Sequence, residues 1–273
     1  ISGPARQKPP VTGQRPAVPE STFNRLKAQA EAARDTDQIP EAIALYTRLI
    51  QLRSDWAEGW WHVGAMRYDR DEFLEAEKSF AKYLVLEPNN GQAWGMIGLC
   101  EYRNKKPASS LQHLAKARKL GLGGNVELGR VVRYHEALLL IRGLQFEAGL
   151  SLLQQFALEH LESPPVLEAM GLAVLRNPEP IEDLKPEDKE MARSFGKAAW
   201  LAYEHKRPES LQLYEQLEAR YRGKPNAAYA VGTALAGQQE SERAVTFFKR
   251  ELERDPKHVA AMLQAAFQDI TAR

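Results

Sequence analysis

Two stretches of the sequence repeat one pattern of residues and decide the fold. Residues 60–80 read WWHVGAMRYDRDEFLEAEKSF, and residues 94–114 read WGMIGLCEYRNKKPASSLQHL. A fixed period of a few tens of residues is the signature of a repeat architecture, in which each unit stacks on its neighbours. The residues repeated after 34 positions are Trp60 and Trp94, Gly64 and Gly98, Tyr68 and Tyr102, Ala76 and Ser110, and Phe80 and Leu114.

The 34-residue period recurs near the C-terminus, with two exceptions in between. The repeated positions there are Ala198, Gly232 and Ala266, then Ser210 and Ala244, and then Tyr214 and Phe248. The interval from Gly98 to Ala137 is 39 residues, five longer than the period, whereas that from Gly171 to Ala198 is 27, seven shorter. We therefore expect one shifted repeat and one shortened repeat in the middle of the chain.

The spacing within each unit predicts a pair of packed helices. Trp60, Val63 and Gly64 follow the i, i+3, i+4 spacing of one helix face. Ala76 and Phe80 are again i, i+4 and would lie on a partner helix. One hairpin of this kind cannot bury its apolar face alone, so hairpins stack into a continuous core.

These residues resemble the tetratricopeptide repeat (TPR) family. The pattern of that family is matched by Trp60, Val63, Gly64, Ala76, Phe80 and Pro88 in one repeat and by Trp94, Ile97, Gly98, Ser110, Leu114 and Ala117 in the next. The tyrosines depart from it, because Tyr68 and Tyr102 each stand one position late. The resemblance implies an all-α fold, a right-handed α-solenoid of helix-turn-helix hairpins closed by a C-terminal capping helix.

The repeat period and the composition together predict an order of segments along the chain. Proline-rich composition marks the start, because five prolines fall within residues 1–20. We expect a Pro-rich arm over 1–21, three regular repeats over 22–124, a shifted and a shortened repeat over 125–190 with an acidic loop at 177–190, two regular repeats over 191–258, and a solvent-tolerant capping helix over 259–273.

Acidic residues are concentrated in the irregular part of the chain. Residues 157–190 carry nine acids and three bases, although the whole chain has a net charge of only +1. Charge runs are most often solvated surface. The alternatives are a docking site for a basic partner or a hinge between two blocks of repeats.

The sequence carries no catalytic motif. Six histidines are scattered without metal-ligand spacing, there is a single cysteine, Cys100, and neither a phosphate-binding loop nor a Gly-x-Ser-x-Gly turn occurs. Near-neutral charge argues against nucleic acid, and no apolar run is long enough to span a membrane. We therefore predict a protein that is not an enzyme and has no cofactor, no metal, no nucleic-acid partner and no membrane span.

The resemblance places function on a concave face lined by first helices, which in this family commonly holds an extended peptide. Aromatic residues recur on that face with arginines among them. Either the aromatic side chains form a row that contacts alternate side chains of an extended peptide, or neighbouring helices bury them in the core. The predicted groove residues are Trp61, Tyr68, Tyr102, Arg103, Tyr134, Arg142, Arg176, Tyr203 and Tyr229.

The leading hypothesis is a non-catalytic scaffold that binds a partner protein or extended peptide in this aromatic groove. The alternative is the recruiting region of a larger enzyme or envelope assembly complex. A third hypothesis is self-recognition or dimerisation, with the Pro-rich arm in the groove of its own chain or of a neighbour. A Pro-rich start without an initiator Met slightly favours export, to the periplasm or beyond, over the cytoplasm.

Overall fold

The computed structural model describes residues 19–271, which form fourteen α-helices and one short 3₁₀ turn without any strand. The predicted all-α solenoid of helix-turn-helix hairpins is confirmed. The chain divides between Pro88 and Asn89 into an N-terminal and a C-terminal unit. The predicted Pro-rich arm falls on residues 1–21, of which 1–18 lie outside the described part of the chain.

The N-terminal unit consists of two helical hairpins. Its helices are α1 (Glu20–Asp35), α2 (Ile39–Leu52), α3 (Ala57–Asp69) and α4 (Phe73–Leu86). The predicted arm ended at residue 21, but α1 already begins at Glu20. The reason is local, because Pro19 precedes the helix, Glu20 brings a negative charge to its first turn, and Phe23 is buried.

Small residues set the distance between the helices of a hairpin. A Cβ added to Gly64 on α3 would lie 2.9 Å from the ring of Phe80 on α4. Ala76 and Phe80 are fully buried at this contact. The residues repeated at 34-residue intervals thus mark the positions where two helices meet.

The C-terminal unit contains the other ten helices. They are α5 (Gly91–Arg103), α6 (Pro107–Leu120), α7 (Val126–Arg142), α8 (Phe146–Leu158), α9 (Pro164–Val174), α10 (Pro186–Tyr203), α11 (Arg207–Arg220), α12 (Ala227–Ala236), α13 (Ser241–Arg254) and α14 (Val259–Thr271), with the 3₁₀ turn at Ile181–Asp183 between α9 and α10.

Equivalent hydrogen bonds recur in two regular hairpins of this unit. The buried Ser110 hydroxyl on α6 donates to the Gly98 carbonyl of α5 at 2.7 Å. One hundred residues later, the buried Ser210 hydroxyl on α11 donates to the Ala198 carbonyl of α10 at the same distance. Helix α10 therefore acts as the first helix of a regular hairpin with α11.

Helix α10 also packs closely along α9. A Cβ on Gly171 of α9 would lie 1.7 Å from the Ala192 carbonyl oxygen of α10, and a Cβ on Gly196 would lie 1.8 Å from that of Leu167. Residue 171 meets 192 and residue 167 meets 196, so the two helices run antiparallel. Helix α10 thus takes the place of the second helix that α9 lacks.

The predicted acidic loop at 177–190 is wrong at its C-terminal end, as is the repeat boundary at 191. Helix α10 begins at Pro186 and includes residues 186–190. Proline is well suited to a first helical turn because its missing N–H is not needed there, and Glu187 and Asp188 add favourable charge. The irregular segment is residues 175–185.

The missing helix changes which helices are neighbours across the hairpins. Before it, odd-numbered helices contact each other, α5 with α7 and α7 with α9. After it, α8 contacts α10 and α12 contacts α14. In a regular solenoid the first helices form one layer and the second helices form another. Here α10 and α12, the first helices of the last hairpins, continue the layer that contains the second helix α8.

The last helix, α14, keeps an apolar outer face instead of the expected solvent-tolerant one. Val259, Leu263, Phe267 and Ile270 are 61–74% exposed, while Ala261 and Ala265 are buried. Leu263 stands 34 residues after the buried Tyr229, so α14 keeps the residue pattern of an inner repeat.

Candidate functional site

In the N-terminal unit, the two predicted groove aromatics contact their own hairpin. The Trp61 ring meets Phe80 at 5.4 Å and Tyr83 at 5.5 Å between ring centres, and both partners lie on α4. The Tyr68 ring meets Phe73 edge-on at 5.4 Å. Trp61 and Tyr68 are both half-buried, so a large part of each ring stabilises α3 against α4.

A polar cluster in the same unit joins α1, α2 and α3. The Arg34 guanidinium donates to the hydroxyl of the buried Tyr46 at 3.3 Å and lies 3.5 Å from the His62 ring. Lys27 pairs with Glu58 at 3.0 Å. Burial, with Arg34 nearby, lowers the pKa of His62. The charges pair with each other, so we assign this cluster to structure.

In the C-terminal unit, a cavity of about 420 Å³ opens between α8, α9, α10 and α12. Most of its lining is apolar or aromatic, which is typical of sites that hold a ligand side chain. The residues that line it on α8 are Phe146, Glu147, Leu150, Gln154 and Leu158, and those on α9 to α12 and in the turn after α9 include Ala173, Val174, Arg176, Ala199, Ala202, Tyr203, Tyr214, Tyr229, Ala230, Thr233 and Ala234.

The change of layer explains why this cavity exists. Helix α8 is the second helix of its hairpin, whereas α10 and α12 are first helices, and a regular solenoid would put these on different layers. The α10 and α12 stripes that were predicted to line a groove, among them Tyr203 and Tyr229, instead face α8 across the cavity.

Arg176 lies at the centre of the cavity wall because of the turn that ends α9. Its φ is +49°, in the left-handed region that non-glycine residues rarely adopt. Its guanidinium pairs with Glu147 at 2.5 Å and lies 4.7 Å from the Phe146 ring centre and 5.6 Å from that of Tyr229. One cation therefore links α8, α9 and α12 and gives the cavity a polar point.

The tyrosines of the cavity differ in how they are held. Tyr229 is buried, and its ring packs on Phe248 at 5.7 Å and on His258 at 5.0 Å. Tyr203 is half-buried, and burial raises the pKa of its phenol. Burial also raises the pKa of Tyr214. The raised pKa values keep Tyr203 and Tyr214 neutral at physiological pH, and the rings of all three tyrosines line the cavity.

Tyr102, Tyr134 and Arg142 lie elsewhere in the same unit, around α5 and α7. The His135 ring contacts Tyr102 at 4.6 Å and Tyr134 at 5.4 Å, and both contacts are edge-on. The Tyr134 hydroxyl donates to the Pro165 carbonyl at 3.5 Å, and burial raises the pKa of Tyr134.

Tyr102 and Arg142 line a small cavity together with residues 178–182. Arg103 is exposed in the last turn of α5.

The nine predicted residues therefore belong to three places in the described chain. Trp61 and Tyr68 lie in the N-terminal unit, Tyr102, Arg103, Tyr134 and Arg142 lie on or around α5 and α7, and Arg176, Tyr203 and Tyr229 lie in the cavity. Phe146 and Leu150 were not among the predicted residues, because they lie on a second helix and the prediction covered first helices only. The interval of 27 residues from Gly171 to Ala198 was the available signal that a helix is missing.

Two absences hold for the part of the chain that the structure describes. Among residues 19–271, no three His, Cys, Asp or Glu side chains are grouped so that they could hold a metal ion. Within the same range, no helix combines the length and apolar content needed to cross a membrane.

Comparisons with known proteins agree with the repeat pattern. A model of the tetratricopeptide repeat family matches residues 67–123 and 186–259. The second match starts at Pro186, where α10 begins, and the span between the matches contains the irregular helices α7 to α9. No curated protein is similar enough to count as a match.

Several solved structures are distantly similar. One is YrrB, described as a TPR protein with an unusual peptide-binding site, at 16% identity over 85% of this chain and 86% of that one, with a TM-score of 0.36. Another is a TPR protein from Parabacteroides merdae, at 12% identity over 91% and 99%, with a TM-score of 0.49. The TPR2AB domain of yeast Sti1 in complex with pHSP90 matches at 15% identity over 91% and 96%, with a TM-score of 0.40.

The 34-residue period, the helical hairpins built on it and the two matched regions lead to one assignment: the chain contains tetratricopeptide repeats over residues 67–123 and 186–259.

Proposed function

We propose that this protein is a non-catalytic scaffold that binds an extended peptide of a partner protein, one apolar side chain of which enters the cavity between α8, α9, α10 and α12. Tetratricopeptide repeats are protein-interaction modules, which supports the general class. The observation that carries the site is the cavity itself, whose volume of about 420 Å³ lies within the usual range of ligand sites.

The chemistry of the lining favours an aromatic or large aliphatic anchor. Tyr203 and Tyr229 offer ring faces and edges, and Phe146 and Leu150 close the opposite wall. Such anchors in desolvated pockets contribute about 2 kcal/mol or more to binding. Arg176 is partly neutralised by Glu147, so it would orient a neighbouring carbonyl or carboxylate of the peptide rather than select strongly for charge.

The test is a selection of peptides from a random library on the purified protein, followed by affinity measurements on two variants. Thr233→Trp fills the cavity from an exposed position on α12, where the Thr233 hydroxyl donates to the Tyr229 carbonyl. Thr246→Trp is the matched control, because Thr246 is exposed on α13 and makes the same bond to Glu242.

We expect the selected peptides to share an aromatic or large aliphatic residue, to lose at least tenfold in affinity on Thr233→Trp and to keep their affinity on Thr246→Trp. Peptides that bind all three proteins equally, or a selection that yields no saturable binder, would contradict the proposal.

A further inference from the structure

Helix α14 follows a histidine whose ring accepts a hydrogen bond from the first turn of that helix. The Nδ1 atom of His258 accepts from the Ala261 N–H at 2.9 Å, and the His258 carbonyl accepts from the Met262 N–H at 3.1 Å. His258 is therefore the N-cap residue of α14. Its ring satisfies an amide that has no partner within the helix itself.

These contacts fix the position of the proton on the neutral His258 ring. A ring nitrogen that accepts a hydrogen bond carries no proton, so the proton is on Nε2. The Nε2 atom lies 2.7 Å from Oδ1 of Asn226, the residue that precedes α12, and donates to it. The neutral ring thus links the starts of α12 and α14. A doubly protonated ring has two donors and cannot accept from the Ala261 N–H.

Asparagine makes the equivalent hydrogen bond at the starts of two earlier first helices. Asn90 accepts from the Ala93 N–H at 2.9 Å before α5, and Asn125 accepts from the Leu128 N–H at 3.0 Å before α7. Asn90 and His258 each stand two residues after a proline. An asparagine does not titrate, whereas histidine is the side chain whose charge ordinarily changes between pH 5 and 8. Of these three caps, the one on α14 therefore responds to pH.

Helix α14 buries little apolar surface against the rest of its unit. Its buried residues are Ala261, Ala265 and Gln268, whereas Leu263 is 67% exposed and Phe267 is 61% exposed. The hydrophobic contribution grows with the apolar area buried, so two alanines contribute little. Terminal elements with few buried apolar contacts open locally at a low cost in free energy. One hydrogen bond at the start of α14 is therefore enough to shift its docking equilibrium.

Ionisable groups from three elements lie around the His258 ring. They are Glu251 and Arg254 on α13, Asp255 and Lys257 in the turn before α14, and Tyr229 on α12. The Glu251 carboxylate pairs with Arg254 at 2.6 Å and also accepts from the Asn226 N–H at 3.1 Å. Both ring nitrogens of His258 contact neutral groups, so a second proton on the ring gains no ion pair to replace the lost hydrogen bond.

We propose that His258 is a proton-sensitive cap that makes the docking of α14 depend on pH. A second proton, added at Nδ1, removes the acceptor for the Ala261 N–H and brings positive charge to a helix start, where it is unfavourable. Docking is full at higher pH and decreases as the pH falls, because the undocked state takes up the proton more readily. Release of α14 uncovers the parts of α12 and α13 on which it packs. The proposal does not depend on the function proposed for the cavity.

The experiment measures amide hydrogen exchange in residues 259–271 of the full chain at pH 7.5 and pH 5.5. Rates are converted to protection factors, which removes the pH dependence that unprotected amides also show. In the wild-type protein, we expect protection to fall at least about threefold at the lower pH, in line with the usual contribution of an N-cap. Equal protection at the two pH values would overturn the proposal.

Two substitutions at position 258 isolate the cap. His258→Asn supplies the acceptor that Asn90 supplies to α5 and cannot titrate, so its protection should be the same at both pH values. His258→Ala supplies no acceptor and should already show at pH 7.5 the low protection that the wild type reaches at pH 5.5. An asparagine variant that loses as much protection as the wild type, or an alanine variant as well protected as the wild type at pH 7.5, would contradict the proposal.

A change at the partner of the ring tests the position of the proton independently. Asn226→Asp places a carboxylate at hydrogen-bond distance from Nε2, and a neighbouring negative charge favours the doubly protonated ring. The loss of protection in α14 should then begin at a higher pH than it does in the wild type. A loss that begins at the same pH or at a lower one would count against the role assigned to the ring.

Discussion

The regular hairpins and the α9–α10 region use the same kinds of residue to make different contacts. In the hairpin of α12 and α13, Gly232 faces the ring of Phe248, a side chain that can move. At α9 and α10, Gly171 and Gly196 face backbone carbonyls of the opposite helix. Losing one helix from a solenoid therefore need not end the stack. Helix α10, the first helix of the next hairpin, takes the place of the missing second helix. The later first helices then continue the layer of second helices.

The largest expected effect tests the closeness of α9 and α10. Gly171→Ala places a methyl group against the Ala192 carbonyl and should destabilise the C-terminal unit by about 4 kcal/mol or prevent its folding. Gly232→Ala is the matched change in a regular hairpin and should cost about 1–3 kcal/mol, because the Phe248 ring can adjust. Urea denaturation followed by circular dichroism measures both. Equal losses would show that α9 and α10 pack like any other hairpin.

A second pair of substitutions tests whether α10 and α11 form a regular hairpin despite the irregularity before them. Ser110→Ala and Ser210→Ala each remove a buried hydroxyl that donates to a backbone carbonyl at 2.7 Å. Each should lower the free energy of unfolding by about 1 kcal/mol. Losses that differ by more than about twofold would mean that the two sites are not equivalent, given the usual context dependence of such bonds.

A third prediction concerns the turn that ends α9. Arg176→Ala removes the contacts to Phe146, Tyr229 and Glu147 and leaves a residue with a side chain at φ +49°. It should destabilise the protein by about 1 kcal/mol, while Arg176→Gly should recover part of that loss because glycine adopts positive φ freely. Thermal melts of the two variants compare them, and a glycine variant less stable than the alanine variant would refute the role of the turn.

The smallest effect is a dependence on pH that both units share. Burial lowers the pKa of His135 in the C-terminal unit and of His62 in the N-terminal unit. As the pH falls, these histidines are protonated in the unfolded chain before they are protonated in the folded protein. The free energy of unfolding is therefore full above the ordinary histidine pKa of about 6.5 and decreases as the pH drops through the lowered pKa.

Urea midpoints at pH 7.5 and pH 5.5 measure this dependence. His135→Asn keeps a donor for the Val131 carbonyl, which His135 Nδ1 contacts at 2.8 Å, and cannot titrate. The acid-induced loss should therefore be smaller in this variant. A loss of equal size would assign the effect to other groups.

Much of the fold could be predicted from the sequence, because the small and bulky residues that recur every 34 positions fix where the two helices of a hairpin touch. Gly64 with Phe80 and Ser110 with Gly98 are such contacts. The layer of each helix could not be predicted, because spacing along the chain does not say which non-adjacent helices meet. Tyr203 and Tyr229 lie on the first helices α10 and α12, yet they share a cavity with α8, a second helix.

The extent of the irregular segment was also beyond the sequence pattern. Three prolines between 177 and 190 indicated a loop, but Pro186 is a helix-starting residue and residues 186–190 belong to α10. Residues 178–182 line one small cavity with Tyr102 and Arg142, and this depends on tertiary structure because these groups are 36 to 80 positions apart in the sequence.

The exchange of layers is tested most directly by photo-crosslinking from α12 within the chain. p-Benzoylphenylalanine placed at position 233 points into the cavity that α8 also lines. After irradiation and proteolysis, mass spectrometry should find crosslinks from residue 233 to peptides of α8, residues 146–158. Crosslinks to α5 or α7 without any to α8 would mean that the first helices form one continuous layer, and would contradict the account.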